Sequence, residues 1–238
     1  MSLSDDTPVE IVPAVELPED DSAGEEVPSL YSHHLFAARH FADVACELEK
    51  THAGDTDTDI VRRHRAYVIG AVFGAAAFLE SSINELYREV QEHIPEGGPA
   101  LQRPLQAAPH LWSDGSGPPI LQKYQFALVV ADAEPFDESR APFRDAEGLI
   151  ALRDALVHGR AEARTPHGRR QNLERRLRAK FKRNALARED APSFPDQLLG
   201  AGCALWAVRV AEKFSNEFCQ RMAIPTRGVP SREAPRQP

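Results

Sequence analysis

An all-α fold, a bundle of five to six helices, is what this 238-residue sequence predicts. Three observations carry that expectation. Apolar residues recur every three to four positions through several long stretches, the spacing of one helical face. No stretch alternates apolar and polar residues between paired turn signals, as half-buried strands do. Proline and glycine gather between the periodic stretches, where they mark the ends of helices.

The ends of the chain read differently from its middle. Residues 1–28 mix acids with Pro8, Pro13, Pro18 and Pro28 and hold little that could be buried, so they read as a disordered acidic tail. A helical domain is expected over 29–224, and residues 225–238 read as a second disordered tail. The formal charge of −8 conceals an asymmetry. Residues 1–30 hold nine acids and no Lys or Arg, whereas 160–188 hold eleven Arg and Lys against Glu162 and Glu174. Such a block points to a polyanionic partner more than the overall charge does.

The first helix is expected from about Ser29 to Lys50, with Leu35, Phe36, Ala38, Phe41, Ala42, Ala45 and Leu48 at helical spacing. After a polar turn at 55–59, Thr58 or Asp59 can cap a second helix running to about His93. That helix is apolar on all sides from Ala66 to Leu79, so neighbours must surround it. These 14 residues fall short of a bilayer span and read as a buried helix, with no membrane partner. Gly70 and Gly74 would let another helix approach closely, and packing within one bundle is favoured over a dimer seam. Glu80 and Asn84 follow on one face at i, i+4. A carboxylate just after such an apolar stretch must be solvated or paired.

Residues 95–119, with six Pro and four Gly, read as a long loop. A short helix is expected over 119–131, with Tyr124, Phe126, Leu128 and Val129 as core candidates. The next helix, 141–158, is the one around which the rest is organised. Pro142 suits its first turn, and Gly159 stands where a left-handed cap would end it. Leu173, Leu177 and Phe181 form an apolar stripe through the basic segment. A last helix is expected over 196–222, with Leu198, Leu199, Leu205, Trp206, Val210, Phe214 and Phe218 as its buried side.

The candidate chemistry lies at the end of helix 141–158. Arg153, Asp154 and His158 stand there among Leu149, Ile150, Leu152, Leu156 and Val157. Two other Arg/His pairs of similar spacing, Arg103/His110 and Arg160/His167, are interrupted by prolines and cannot share one rigid helix. Five residues along an ideal helix turn through about 500°, which sets the Arg153 and His158 side chains roughly 140° apart. They can line opposite walls of a cleft or meet in a site completed by a second subunit. Asp154 and His158 stand at i, i+4 and can touch.

A long apolar helix ending in FLESSINELY (Phe78–Tyr87), followed by LRDALVHGR (Leu152–Arg160), resembles the HEPN superfamily over roughly Ile60–Met222. The family motif is an Arg, a polar residue, then a His four to six positions after the Arg. Arg153, Asp154 and His158 match it in turn. The resemblance implies an all-α domain, a homodimer, and metal-independent RNA cleavage at a site shared across the two-fold axis, with Glu80 and Asn84 in support. One branch of the family carries a Tyr two residues after the His. Arg160 stands at that position here, and the basic block is not part of the general pattern either.

As chemistry, His158 would take the proton of an RNA 2′-OH or return one to the leaving 5′-oxygen, and Arg153 would stabilise charge building on phosphorus. Asp154 would orient His158 or polarise the nucleophile. Arg160, Arg169, Arg170, Arg175, Arg176, Lys180, Lys182 and Arg183 are the candidate phosphate contacts. This reading makes the chain an endoribonuclease, such as a toxin or defence effector with an antitoxin or defence partner protein. Two alternatives stand beside it: a non-catalytic helical dimer that binds RNA or a nucleotide, and a protein-interaction scaffold.

No cofactor is implied. His33, His34 and His40 match no zinc spacing, and neither a GxGxxG nor a GxxxxGK[ST] loop occurs. Cys46, Cys203 and Cys219 lie far apart, which fits reduced thiols in a cytoplasmic protein.

Overall fold

The computed structural model describes residues 30–54, 57–93, 119–158 and 169–227. Among these residues the chain is all-helical. Six α-helices run in the order α1 (Leu30–Thr51), α2 (Thr58–His93), α3 (Ile120–Val130), α4 (Phe143–His158), α5 (Arg169–Arg178) and α6 (Ala201–Met222), with a π-helical turn at Ser193–Gln197.

The core is built on α1, α2 and α6. On α1 the buried residues Leu35, Ala38, Ala42 and Ala45 follow the three-to-four spacing of one face. Asp57, rather than Thr58 or Asp59, caps α2: its Oδ1 accepts the Asp59 N–H at 2.8 Å. The two helices lie antiparallel, because Tyr31 meets Phe78 at one end and Glu49 meets His64 at the other. Gly70 and Gly74 make this crossing close. A Cβ on Gly70 would lie 2.7 Å from the Phe41 ring, and one on Gly74 would lie 3.0 Å from the His34 carbonyl oxygen. The glycine pair therefore serves packing inside the bundle.

By length and composition α2 could cross a membrane, with a mean hydropathy of 1.6 in its most apolar stretch. Half of that stretch is buried inside the bundle, and a core helix passes the same test.

Helix α6 packs antiparallel to α1, tied at its start by Glu49 and near its middle by Arg39. The Ala201 N–H donates to Glu49 Oε1 at 2.7 Å, and Arg39 Nε pairs with Glu212 Oε1 at 2.6 Å. The Glu49 carboxylate thus satisfies an otherwise orphaned donor at the start of a helix. His64, fully buried, brings Nε2 within 3.1 Å of the same oxygen.

Helix α6 starts at Ala201, five residues later than the sequence pattern suggests. Asp196 and Gln197 belong instead to the π-helical turn, which the buried Asn184 holds in position. Asn184 donates from Nδ2 to the Asp196 carbonyl at 2.8 Å and accepts the Leu186 N–H at 3.0 Å. Arg65 of α2 pairs with the Asp196 carboxylate. Gly200 is extended and passes so close that a Cβ would lie 2.5 Å from Asn184 Cα.

Aromatic packing fixes α3 and the start of α4. Tyr124 stands edge-on to Phe214 and Phe218, at centroid distances of 4.9 and 4.7 Å, and its hydroxyl donates to the Leu79 carbonyl at 2.7 Å. Phe136 stacks on Phe214 at 4.7 Å, and Gln125 exchanges two 2.9 Å hydrogen bonds with the Phe136 backbone. Phe143, the first residue of α4, is buried beside this cluster. Of the core candidates on α3, Tyr124 and Leu128 are buried, Phe126 is half-buried and Val129 is exposed. Pro142 lies just ahead of the helix rather than in its first turn.

Past Met222 the chain stays attached as far as Arg227. That guanidinium pairs with Glu89, donates to the Ser82 carbonyl at 3.3 Å and lies 5.6 Å from the centroid of the Tyr31 ring. Residues 225–227 are therefore tied to α1 and α2. The expectations for residues 1–28, for the loop from 95 through 118, and for Gly159 lie outside the described residues.

Candidate functional site

Helix α4 changes character along its length. Phe143, Ala146, Gly148, Leu149 and Leu152 are buried, and Leu149 and Leu152 reach zero exposure. After Leu152 no residue of the helix is fully buried, and Val157 and His158 stand in solvent. The candidate residues sit on this emerging half.

Arg153 is held by carboxylates from two helices. Its Nη2 lies 3.5 Å from Glu80 Oε2 on α2, and its Nε lies 3.3 Å from Asp154 Oδ1. Its side chain keeps 29% of its surface exposed, so it is anchored and still reachable from solvent. Glu80, which the sequence requires to be solvated or paired, is both. Asn84, one turn further along α2, accepts a 2.8 Å hydrogen bond from Lys123 Nζ of α3. Glu80 and Asn84 thus tie α2 to different neighbours, Glu80 to α4 and Asn84 to α3.

His158 makes no hydrogen bond or ion pair among the described residues. Asp154 turns to Arg153 and not to His158, so the expected carboxylate–imidazole contact does not form within one chain. The helix geometry that sends Arg153 and His158 roughly 140° apart has the same consequence. One chain supplies an anchored guanidinium and an open imidazole on different sides of one helix end.

The basic segment divides into cations that have partners within the chain and cations that have no ion pair among the described residues. Arg176 pairs with Glu147 at 2.7 Å and donates to the Arg144 carbonyl at 3.2 Å. Lys180 pairs with Asp145 at 2.7 Å, and Arg183 donates to the carbonyls of Ala187 and Arg188. These three hold α5 and the following loop in place. Arg175 and Lys182 are exposed and have no ion pair among the described residues. Arg160 and the side chains of Arg169 and Arg170 lie outside the described residues. The stripe that anchors this segment is as the sequence suggests: Leu173 and Leu177 are buried, and Phe181 packs on Trp206 at 5.4 Å.

Sequence reasoning passed over three features: the buried His64 with its half-buried partner Glu49, the buried Asn184, and a cleft beside Trp206. The histidine looks like one more polar residue of a helix, because its carboxylate partner comes from another element. Asn184 sits inside a charge run, where nothing marks it as buried.

Among the described residues no group of three His, Cys, Asp or Glu is arranged to hold a metal ion. All three thiols are free and pushed up from their ordinary value, burial being the first cause in each. None is therefore an activated nucleophile. No family model, curated protein or solved structure matches the chain.

Proposed function

We propose that the chain is a HEPN-like, metal-independent endoribonuclease that acts as a homodimer in the cytoplasm, in the manner of a toxin or defence effector held in check by a partner protein. The observation that carries this reading is the end of α4. There an arginine is anchored by Glu80 and Asp154 yet remains open to solvent, and an exposed histidine ends the same helix. An anchored guanidinium suits a phosphate that gains charge as it reacts, because little reorganisation is needed at that moment.

In the proposed reaction His158 takes the 2′-OH proton, the 2′-oxygen attacks phosphorus, and the bond to the 5′-oxygen breaks. The His158 of the second subunit returns a proton to the leaving oxygen. Two subunits are needed because one chain turns Arg153 and His158 to different sides. Arg175 and Lys182 supply outward charge for the RNA backbone.

RNA incubated with the protein in EDTA tests the proposal. Cleavage is expected in the wild type and falls at least about 100-fold in His158→Ala and in Arg153→Ala, with the fold intact by circular dichroism. No cleavage of any RNA by the wild type overturns it. A second reading has an observation of its own. Asp154 pairs with Arg153 and leaves His158 alone, as a purely structural clamp between α2 and α4 would. Salt-dependent RNA binding without cleavage identifies a non-catalytic binder, and no binding at low salt identifies an interaction scaffold.

A further inference from the structure

Gly148 is the described glycine that neither backbone nor packing requires. Gly54 carries a positive φ of 84°, and a Cβ on Gly70, Gly74, Gly200 or Gly202 would come within 3.0 Å of a neighbour. A Cβ on Gly148 would meet Leu177 at 3.7 Å and Trp206 at 3.8 Å, ordinary van der Waals contacts. An alanine fits there, and glycine inside a helix is less stable than alanine. What the missing methyl leaves is the floor of a cavity of about 260 Å³.

The cavity has two chemical halves. Gly148, Leu177 and Trp206 form an apolar floor. Arg144, Arg176 and Lys180 stand around it against one lining carboxylate, Asp145. Lys180 is held by Asp145 and Arg176 by Glu147, so both cations are fixed in position. The exposed Arg144 side chain has no ion pair among the described residues.

We propose that this cavity binds a small phosphomonoester carrying a flat ring, the ring on the Gly148–Trp206 floor and the phosphate among Arg144, Arg176 and Lys180. Arg144 offers this unengaged guanidinium, and Arg176 and Lys180 keep donor hydrogens beyond those engaged by Glu147 and Asp145, so the three meet the several oxygens of a phosphomonoester better than the two of a carboxylate. The volume sits just under the roughly 300–1,000 Å³ of small-molecule sites, which suits a ring with its phosphate rather than a bare ion. The site is separate from Arg153, since Gly148 and Arg153 diverge by roughly 140° on α4. It therefore stands whether or not the protein cleaves RNA.

Calorimetric titration of the full chain with phenyl phosphate tests this, with phenol, inorganic phosphate and benzoate as controls. Phenyl phosphate is expected to bind once per chain, at least ten-fold more tightly than any control. Arg144→Ala, at an exposed position, weakens binding at least ten-fold with the melting temperature unchanged. Gly148→Ala weakens it several-fold while raising the melting temperature, an outcome that a purely structural glycine would not give. Absence of saturable binding overturns the proposal, as does binding that survives both substitutions or controls that bind as tightly as phenyl phosphate.

Discussion

The two halves of α4 both carry leucine and differ in how deeply they bury it. Leu149 and Leu152 have no exposed surface, in a helix that packs on α2, α5 and α6, whereas Leu156, one turn on, is half-buried and Val157 is 55% exposed. The first half fastens the helix to the bundle, and the second carries Arg153, Asp154 and His158 out of it. A polar site on a helix needs such an arrangement: a rigid base for precision and an end left uncovered for a ligand.

Stability measurements give the sharpest separation of the two halves. Leu152→Ala removes a side chain with no exposed surface and is expected to cost about 2–5 kcal/mol in urea denaturation. Val157→Ala, about one turn from Arg153 on the same end, should stay within about 0.5 kcal/mol. Equal losses at the two positions would mean that the second half is as covered as the first.

The second half should answer to chemistry instead. His158→Ala is expected to leave the urea midpoint unchanged while RNA cleavage in EDTA falls at least about 100-fold, equivalent to about 2.7 kcal/mol of barrier. If the substitution lowers stability and cleavage together, the histidine is a packing residue and the contrast between the halves fails.

A smaller effect of opposite sign is expected at Gly148 in the buried half. Gly148→Ala should stabilise the protein by about 0.4–1 kcal/mol, because the methyl has room and the unfolded chain loses freedom. Gly202→Ala is the control: its Cβ would lie 2.6 Å from the Lys182 carbonyl oxygen, so the same change must destabilise. Matching melting-temperature shifts at the two glycines would show that Gly148 is a packing residue after all.

Much of this architecture was legible in the residues. Helix ends fell within a few positions for α1 to α4, because long apolar periodicities and proline breaks carry that information locally. The approach of Gly70 and Gly74 to a neighbouring helix was legible for the same reason, and so was the need of Glu80 for solvent or a partner. The start of α6 was not. Residues 196–200 continue the apolar pattern of the helix, but Asn184 and Arg65 bind Asp196 from a distance and hold a π-helical turn. Nor did the spacing of Asp154 and His158 reveal their relation. An i, i+4 pair can touch, but Arg153 is the adjacent residue and reaches the carboxylate first. The division of the basic block was equally hidden, since Glu147 and Asp145, on another helix, decide which cations are paired.

The smallest effect expected is the one that joins the halves to the bundle, the pair of Arg153 with Glu80. At 3.5 Å, with 29% and 47% of the two side chains exposed, it lies in solvent-screened surroundings. A double-mutant cycle with Arg153→Ala and Glu80→Ala should give a coupling of about 0.2–1 kcal/mol that shrinks in high salt. The same cycle read through RNA cleavage separates two roles for Glu80. If the carboxylate only braces α2 against α4, Glu80→Gln leaves cleavage near the wild-type rate. If it aims the guanidinium at a phosphate, cleavage falls well beyond what the small loss of stability accounts for, and Arg153→Ala then makes Glu80→Gln inconsequential. A coupling well above 1 kcal/mol that persists in salt would place the pair in a covered interface and remove the contrast between a sealed half and an open one.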